Sequence, residues 1–73
     1  MSGGKELIEI SVNGKSRQVP GGMTVASLLD DLALHPGMVV VEHNREILQR
    51  ATLPDAVLRS GDVVEIVHFV GGG

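Results

Sequence analysis

The residues of this chain with the clearest chemical use are three consecutive glycines at its end, Gly71, Gly72 and Gly73. Glycine has no side chain, so a glycine segment can enter a channel that is too narrow for any other residue. Three extended residues reach about 10 Å beyond a folded domain, which brings the carboxylate of Gly73 within reach of another protein's active site. A frayed end or an expression remnant explains the same glycines equally well.

The other reactive side chains show no catalytic arrangement. His35, His43 and His68 are predicted on a loop, a turn and a strand, without the spacing of metal ligands, so we expect surface histidines and no metal site. No acidic pair has a context that suggests a raised pKa, and the chain has no cysteine. We therefore expect a protein that is not an enzyme and binds no cofactor of its own.

Composition narrows the possible partners. The 73 residues allow one domain, with a net charge of −3 and a single aromatic residue, Phe69. This balance argues against nucleic acid and anionic membranes as partners and suits a basic protein. Because no apolar stretch approaches a membrane span and no signal peptide opens the chain, a cytoplasmic location is expected. We divide the chain into a flexible leader (1–5), a domain (6–70) and a flexible glycine tail (71–73).

Apolar alternation predicts a strand over residues 6–12, and Asn13-Gly14 then turns the chain into a second strand over 15–19. Thr24 is predicted to cap a helix that runs to about Leu34 and is ended by the proline at position 36. The helix carries one apolar stripe, formed by Val25, Leu28, Leu29 and Leu32. These residues are predicted to pack on Ile8, Ile10, Val64 and Ile66.

Three further strands are predicted over residues 38–42, 46–48 and 63–70, with a covering loop and a helical turn over 51–58. The order β-β-α-β-β-β belongs to the α+β class and predicts a β-grasp, a mixed sheet of four to five strands with one main helix packed across it. In this arrangement the first and last strands are parallel neighbours at the centre.

The last strand is predicted to be apolar on both faces. If Val64 and Ile66 face the helix, then Val67 and Phe69 lie on the open face and form an exposed patch of the kind that binds a partner. The alternative is that Phe69 folds over the rim of a small core.

Four stretches of the sequence resemble one known family: residues 10–14, 24–29, 39–46 and above all Gly-Asp-Val-Val-Glu-Ile-Val-His-Phe-Val-Gly-Gly-Gly at 61–73. They are similar to the ThiS family, the ubiquitin-like sulfur carriers of thiamine biosynthesis. The similarity extends from Glu6 to Gly73.

This resemblance implies a chemistry for the tail. Gly71 and Gly72 would thread into an E1-like adenylyltransferase of the ThiF type, which uses ATP to adenylate the Gly73 carboxylate. Sulfur from a donor such as a cysteine desulfurase would then replace AMP, and the resulting thiocarboxylate would be delivered to a thiazole synthase of the ThiG type.

Three alternatives remain open at this level. The molybdopterin-synthase small subunit shares the fold, the tail and the activation chemistry. A ubiquitin-like modifier would form isopeptide bonds with protein lysines. A β-grasp interaction module would carry a chemically inert tail.

Overall fold

Two hairpins, one helix and a final central strand make up the fold, in a computed structural model that describes residues 6–69. The strands and the helix are β1 (Leu7–Val12), β2 (Lys15–Pro20), α1 (Val25–Asp31), β3 (Val39–His43), β4 (Glu46–Ile47) and β5 (Val63–His68). Two 3₁₀ helices, Pro36–Met38 and Arg50–Asp55, connect them. The predicted leader, the predicted end of the last strand at Val70 and the glycine tail lie outside the described residues.

The five strands form one mixed sheet in the order β2-β1-β5-β3-β4. β1 and β5 are parallel at the centre, with Ser11 opposite Val63 and Val12 opposite Val64, and every other pairing is antiparallel. The predicted β-grasp, including its parallel central pair, is confirmed. β5 therefore has a neighbouring strand on each side.

The core lies between the sheet and α1. Val25, Leu28 and Leu29 are fully buried, as the apolar stripe predicts. Leu32 and Ile8, which were expected in the core, are only half-buried because they lie at its edge. The other buried apolar residues are Ile10, Val19, Val39, Val41, Leu53, Leu58, Val64 and Ile66.

The helix begins as predicted and ends earlier than predicted. The hydroxyl of Thr24 accepts a hydrogen bond from the Ser27 backbone N–H at 3.1 Å, which satisfies one of the free donors of the first turn. At the other end α1 stops at Asp31, and Ala33 takes a left-handed conformation with φ of +59°. The Leu34 N–H then donates to the Leu29 carbonyl at 2.8 Å, and the Ala33 N–H donates to Asp30. This is a Schellman motif, so the local backbone ends the helix before the proline is reached.

Replacing Ala33 with glycine is expected to stabilise the fold by about 1 kcal/mol, because a residue with a Cβ is strained in the left-handed region. Urea unfolding of the A33G variant measures the change in the free energy of unfolding. The control is A26G inside α1, where the same substitution should destabilise by about 1 kcal/mol. Equal losses in both variants would contradict the strain assigned to Ala33.

Asn13 fixes β5 beside β1 beyond the last paired residues of the two strands. Its side-chain oxygen accepts from the Ile66 N–H at 2.7 Å, and its amide donates to the Ile66 carbonyl at 3.2 Å. The Asn13 side chain thus takes the place of a backbone peptide of β1, and the N–H and carbonyl of Ile66 both have hydrogen-bond partners on that side of β5.

The covering loop predicted between β4 and β5 is present, and its helical turn is longer than expected. The 3₁₀ helix Arg50–Asp55 buries Leu53 against the core, and Leu58 is almost fully buried behind it. Within residues 6–69, the helices all fall short of the length and apolar character that crossing a bilayer requires.

Candidate functional site: the end of the central strand

The exposure of β5 alternates between its two faces. Val64 and Ile66 are buried beneath the helix, whereas Val63 and Val67 are 43% and 64% exposed on the open face of the sheet. Glu65 lies between them on the same face. The predicted division of the strand into a core face and an open face is confirmed for residues 63–67.

An apolar patch surrounds the end of this strand and consists of Met38, Ile47, Val67 and Phe69. Val67 lies opposite Val40 of β3, and the Phe69 N–H donates to the Met38 carbonyl at 3.0 Å. Phe69 is 50% exposed and lines a groove of about 220 Å³ together with Ile47. Phe69 therefore lines the groove and still leaves half of its surface to solvent. Exposed apolar groups clustered in this way are typical of a protein-binding surface.

The start of β5 is held by a polar network around Asp62, which is 9% exposed. Its carboxylate accepts hydrogen bonds from His43 Nε2 at 2.7 Å, from the Arg59 backbone N–H at 2.9 Å and from Asn44 Nδ2 at 3.1 Å. Burial on its own raises the pKa of Asp62, but these hydrogen bonds outweigh it and hold the pKa below its ordinary value of 3.8. Since an ionised carboxylate only accepts, His43 Nε2 carries the hydrogen.

This network corrects one prediction from the sequence. His43 is not a surface histidine, because its side chain is only 17% exposed and pairs with Asp62. His35 is exposed and accepts a hydrogen bond from the Gly37 N–H at 2.9 Å, and His68 is exposed on β5. Among residues 6–69 there is no group of three or more side chains that could hold a metal ion.

Replacing Asp62 with asparagine is expected to lower the free energy of unfolding at pH 7 by about 1–3 kcal/mol, because charge-assisted hydrogen bonds are lost in a buried site. Since the folded pKa lies below 3.8, the contribution of the carboxylate is complete above that value. It disappears as the pH falls through the lower folded pKa. The wild type should therefore lose this increment below about pH 4, and D62N should not.

The measurement is urea unfolding between pH 7 and pH 2, with exposed Asp55→Asn as the control. If the free energy of unfolding falls by the same amount at low pH in the wild type and in D62N, the ionised Asp62 adds no stability.

The predicted reactive residue and its neighbours, Gly71, Gly72 and Gly73, lie outside the described residues, so the role assigned to them stays a prediction. The structure does describe the end of the chain up to Phe69, which belongs to the apolar patch. The segment that carries the glycines therefore continues from the patch.

Comparison with known proteins gives matches over most of the chain. The model of the ThiS family matches residues 10–73. The thiazole synthase of Magnetococcus marinus is 38% identical over 66 residues, which are 90% of this chain and 20% of that protein. The sulfur carrier protein ThiS of Bacillus subtilis is 44% identical over 50 residues, which are 68% of this chain and 76% of that protein. This chain thus spans about a fifth of the thiazole synthase and three quarters of the Bacillus protein.

A solved structure agrees with the sequence matches. The crystal structure of the thiamine biosynthesis protein ThiS from Geobacter metallireducens has a TM-score of 0.79 and 35% sequence identity to this chain. The match covers 90% of this chain and 100% of that one. A mixed five-stranded sheet with a parallel central pair and one helix across it therefore defines a ubiquitin-like β-grasp protein. Within that class the chain belongs to the ThiS family, since the family model covers all of it except the first nine residues.

Proposed function

We propose that this protein is a sulfur carrier for thiazole formation in thiamine biosynthesis, with the Gly73 carboxylate as its working group. The observation that carries the proposal is membership of the ThiS family, together with 44% identity to a protein named as a sulfur carrier. The position of Phe69 supports it, because this last described residue before the glycines belongs to an exposed apolar patch.

The proposed chemistry requires activation by a partner. A free carboxylate is a poor acylating group, so an oxygen of the Gly73 carboxylate attacks the α-phosphorus of ATP and pyrophosphate leaves. The persulfide sulfur of the donor then attacks the acyl carbon, and AMP departs with the electron pair of the broken bond, which leaves an acyl disulfide. A thiol then attacks the donor's sulfur in that disulfide, so the S–S bond breaks, a new disulfide forms on the donor and the thiocarboxylate leaves. The completed product is a thiocarboxylate, whose sulfur is a soft nucleophile at neutral pH. Because the carrier provides only the carboxylate, it is not an enzyme and binds no cofactor, and the activating partner binds ATP.

Three kinds of partner follow from this scheme. An E1-like adenylyltransferase of the ThiF type activates the carboxylate, and a sulfur donor such as a cysteine desulfurase supplies the sulfur. A thiazole synthase of the ThiG type receives it. Two proteins named thiazole synthase support this last partner, since each contains a segment similar to this chain in a fifth of its length. Joining a carrier to its acceptor raises the effective concentration of one for the other.

We assign Val67 and Phe69 to docking and Gly71 and Gly72 to threading. Val67 is the more exposed of the two apolar side chains, and Phe69 lies two residues from the first glycine of the tail. A partner that covers the apolar patch would bind next to the residues that lead into the tail, and glycines would let the tail pass through a narrow channel.

The test is reconstitution of the full chain with the E1-like enzyme, ATP and a sulfur donor, followed by intact-mass measurement. The mass is expected to rise by the difference between a sulfur and an oxygen atom, and the loaded protein should support thiazole formation by the thiazole synthase. Transfer only to the large subunit of molybdopterin synthase would place the carrier in the molybdenum cofactor pathway. Lysine adducts without a thiocarboxylate would identify a protein modifier, and an unchanged mass would reject the carrier function.

A further inference from the structure

The groove of about 220 Å³ at the end of β5 carries one charged side chain. Phe69 forms part of its wall, and the other lining residues are apolar except for Arg50. We call it the Arg50 groove. Gly37 also lines it, and the Nη2 atom of Arg50 lies 3.5 Å from the point where a Cβ on residue 37 would stand. The guanidinium therefore lies beside the backbone of Gly37, at the wall of the groove.

One side of the Arg50 groove is an open edge of β3. β4 pairs only with Glu42 and His43, and one further bond joins the Leu48 N–H to the Val41 carbonyl at 2.9 Å. Backbone groups of successive strand residues point to alternate edges, so the N–H and carbonyl of Val39 point the same way as those of Val41. Among residues 6–69, no strand lies beside Val39 on this edge. The edge can therefore receive an extended backbone.

Arg50 is a cation without a counter-ion in the described part of the chain. It is exposed, and neither of the two ion pairs found among residues 6–69 includes it. A planar guanidinium binds a carboxylate through paired, parallel hydrogen bonds. The groove is thus suited to a segment of extended backbone that has few side chains and carries a carboxylate.

The tail of the same chain has this chemistry and lies within reach. The Phe69 N–H donates to the Met38 carbonyl at 3.0 Å, so the last described residue lies beside the start of β3. A segment on the far edge of β3 would lie about 10 Å from β5, because this is twice the spacing of neighbouring strands. The four residues 70–73 span about 13 Å when extended. Three of them are glycines, so only the side chain of Val70 has to be accommodated.

We propose that the Arg50 groove binds the tail of its own chain, with the Gly73 carboxylate on the Arg50 guanidinium and the glycine backbone along the Val39 edge of β3. A segment joined to its site by so short a connection has an effective concentration in the millimolar range, so weak contacts are enough to hold it. The sequence predicts a flexible tail because no side chain anchors it, and the groove provides an anchor for its backbone and its carboxylate instead.

This binding makes the groove a regulatory site for the carrier. The tail has to leave the groove before an activating enzyme can reach its carboxylate. Ile47 and Phe69 line the groove and also belong to the apolar patch, so a partner that covers the patch competes with the tail and releases it. The inference rests on the proposed function in one respect, which is that Gly73 ends in a free carboxylate.

The test compares the free wild-type protein with Arg50→Gln by NMR, using the full chain. In the wild type we expect nuclear Overhauser contacts from Gly72 and Gly73 to the side chains of Ile47 and Leu48, and these contacts should weaken as salt is added. Arg50→Gln should lower the ratio of bound to free tail by about threefold, as for the loss of an exposed ion pair. A chain whose Gly73 ends in a carboxamide should show the same loss, and adding Arg50→Gln to it should cause no further change.

Arg59→Gln is the matched control. Arg59 is exposed, precedes β5 at the other end of that strand, and does not line the groove. It should leave the signals of the tail unchanged. Glycine signals that respond to Arg50→Gln no more than to Arg59→Gln would overturn the proposal, and normal sulfur loading of the same protein would leave the carrier function intact. The expected contacts in a protein that gains no sulfur would support the groove and reject the carrier function.

Discussion

A variant that lacks Gly73 is expected to gain no sulfur when it is incubated with the E1-like enzyme, ATP and a sulfur donor. Removing one residue moves the carboxylate back by about 3.5 Å along an extended chain. Misplacement by about 1 Å can already reduce a reaction rate by about a hundredfold. Adding one residue after Gly73 should block the reaction as completely, because the new carboxylate lies too far forward. Intact mass measures loading in both variants.

The control for this prediction is a deletion at the other end of the chain, that of Gly4, which should load normally. Because the described core and strands are formed by other residues, circular dichroism should give the same spectrum for all of these proteins. Full sulfur loading of either altered tail would show that Gly73 is not the working group, and the carrier function would then be rejected.

Truncating Phe69 to alanine is expected to weaken binding to the activating enzyme by about 2 kcal/mol, which is about thirtyfold in Kd. Half of the Phe69 surface is exposed in the free protein, so a partner can bury it. The fold should survive the substitution, because Phe69 does not belong to the buried core. Calorimetric titration gives the affinity, and thermal unfolding gives the stability.

Leu7→Ala is the matched control for Phe69→Ala. Leu7 is 61% exposed, but it lies at the start of β1, far along the sheet from the end of β5. It should therefore leave affinity unchanged. If F69A unfolds under conditions in which the wild type is folded, then Phe69 is part of the core and the docking role loses its support.

The strand pattern and the architecture could be predicted from the sequence because their signals are local. Asn13-Gly14 marks a hairpin, and the alternation in β5 shows that Val67 lies on the open face. The end of the helix could not be predicted, since alanine at position 33 gives no sign of a left-handed residue. Its conformation is fixed by the backbone hydrogen bonds of the helix end and by the packing of Leu34 against the core, and neither is visible in a single residue type.

The polar network around Asp62 was missed for a different reason. His43 and Asp62 are 19 residues apart in the sequence, and they meet only because β3 and β5 are neighbours. The same pairing brings Glu42 opposite Glu65. These contacts can be found only when the register of β3 against β5 is known. The sequence predicted the strands but not their register, so it could not predict the contacts.

The central position of β5 has a mechanical consequence. A partner that draws the chain forward beyond Phe69 pulls along the axis of this strand. On one side β5 pairs with β3 from Val64 to His68. On the other side the Asn13 side chain makes two hydrogen bonds to the backbone of Ile66. Hydrogen bonds between antiparallel strands lie perpendicular to such a force, so all of them share the load in shear. If the strand were peeled off sideways, the bonds would instead break one after another. The sheet would therefore resist traction along its last strand, as the proposed insertion and withdrawal of the tail would require.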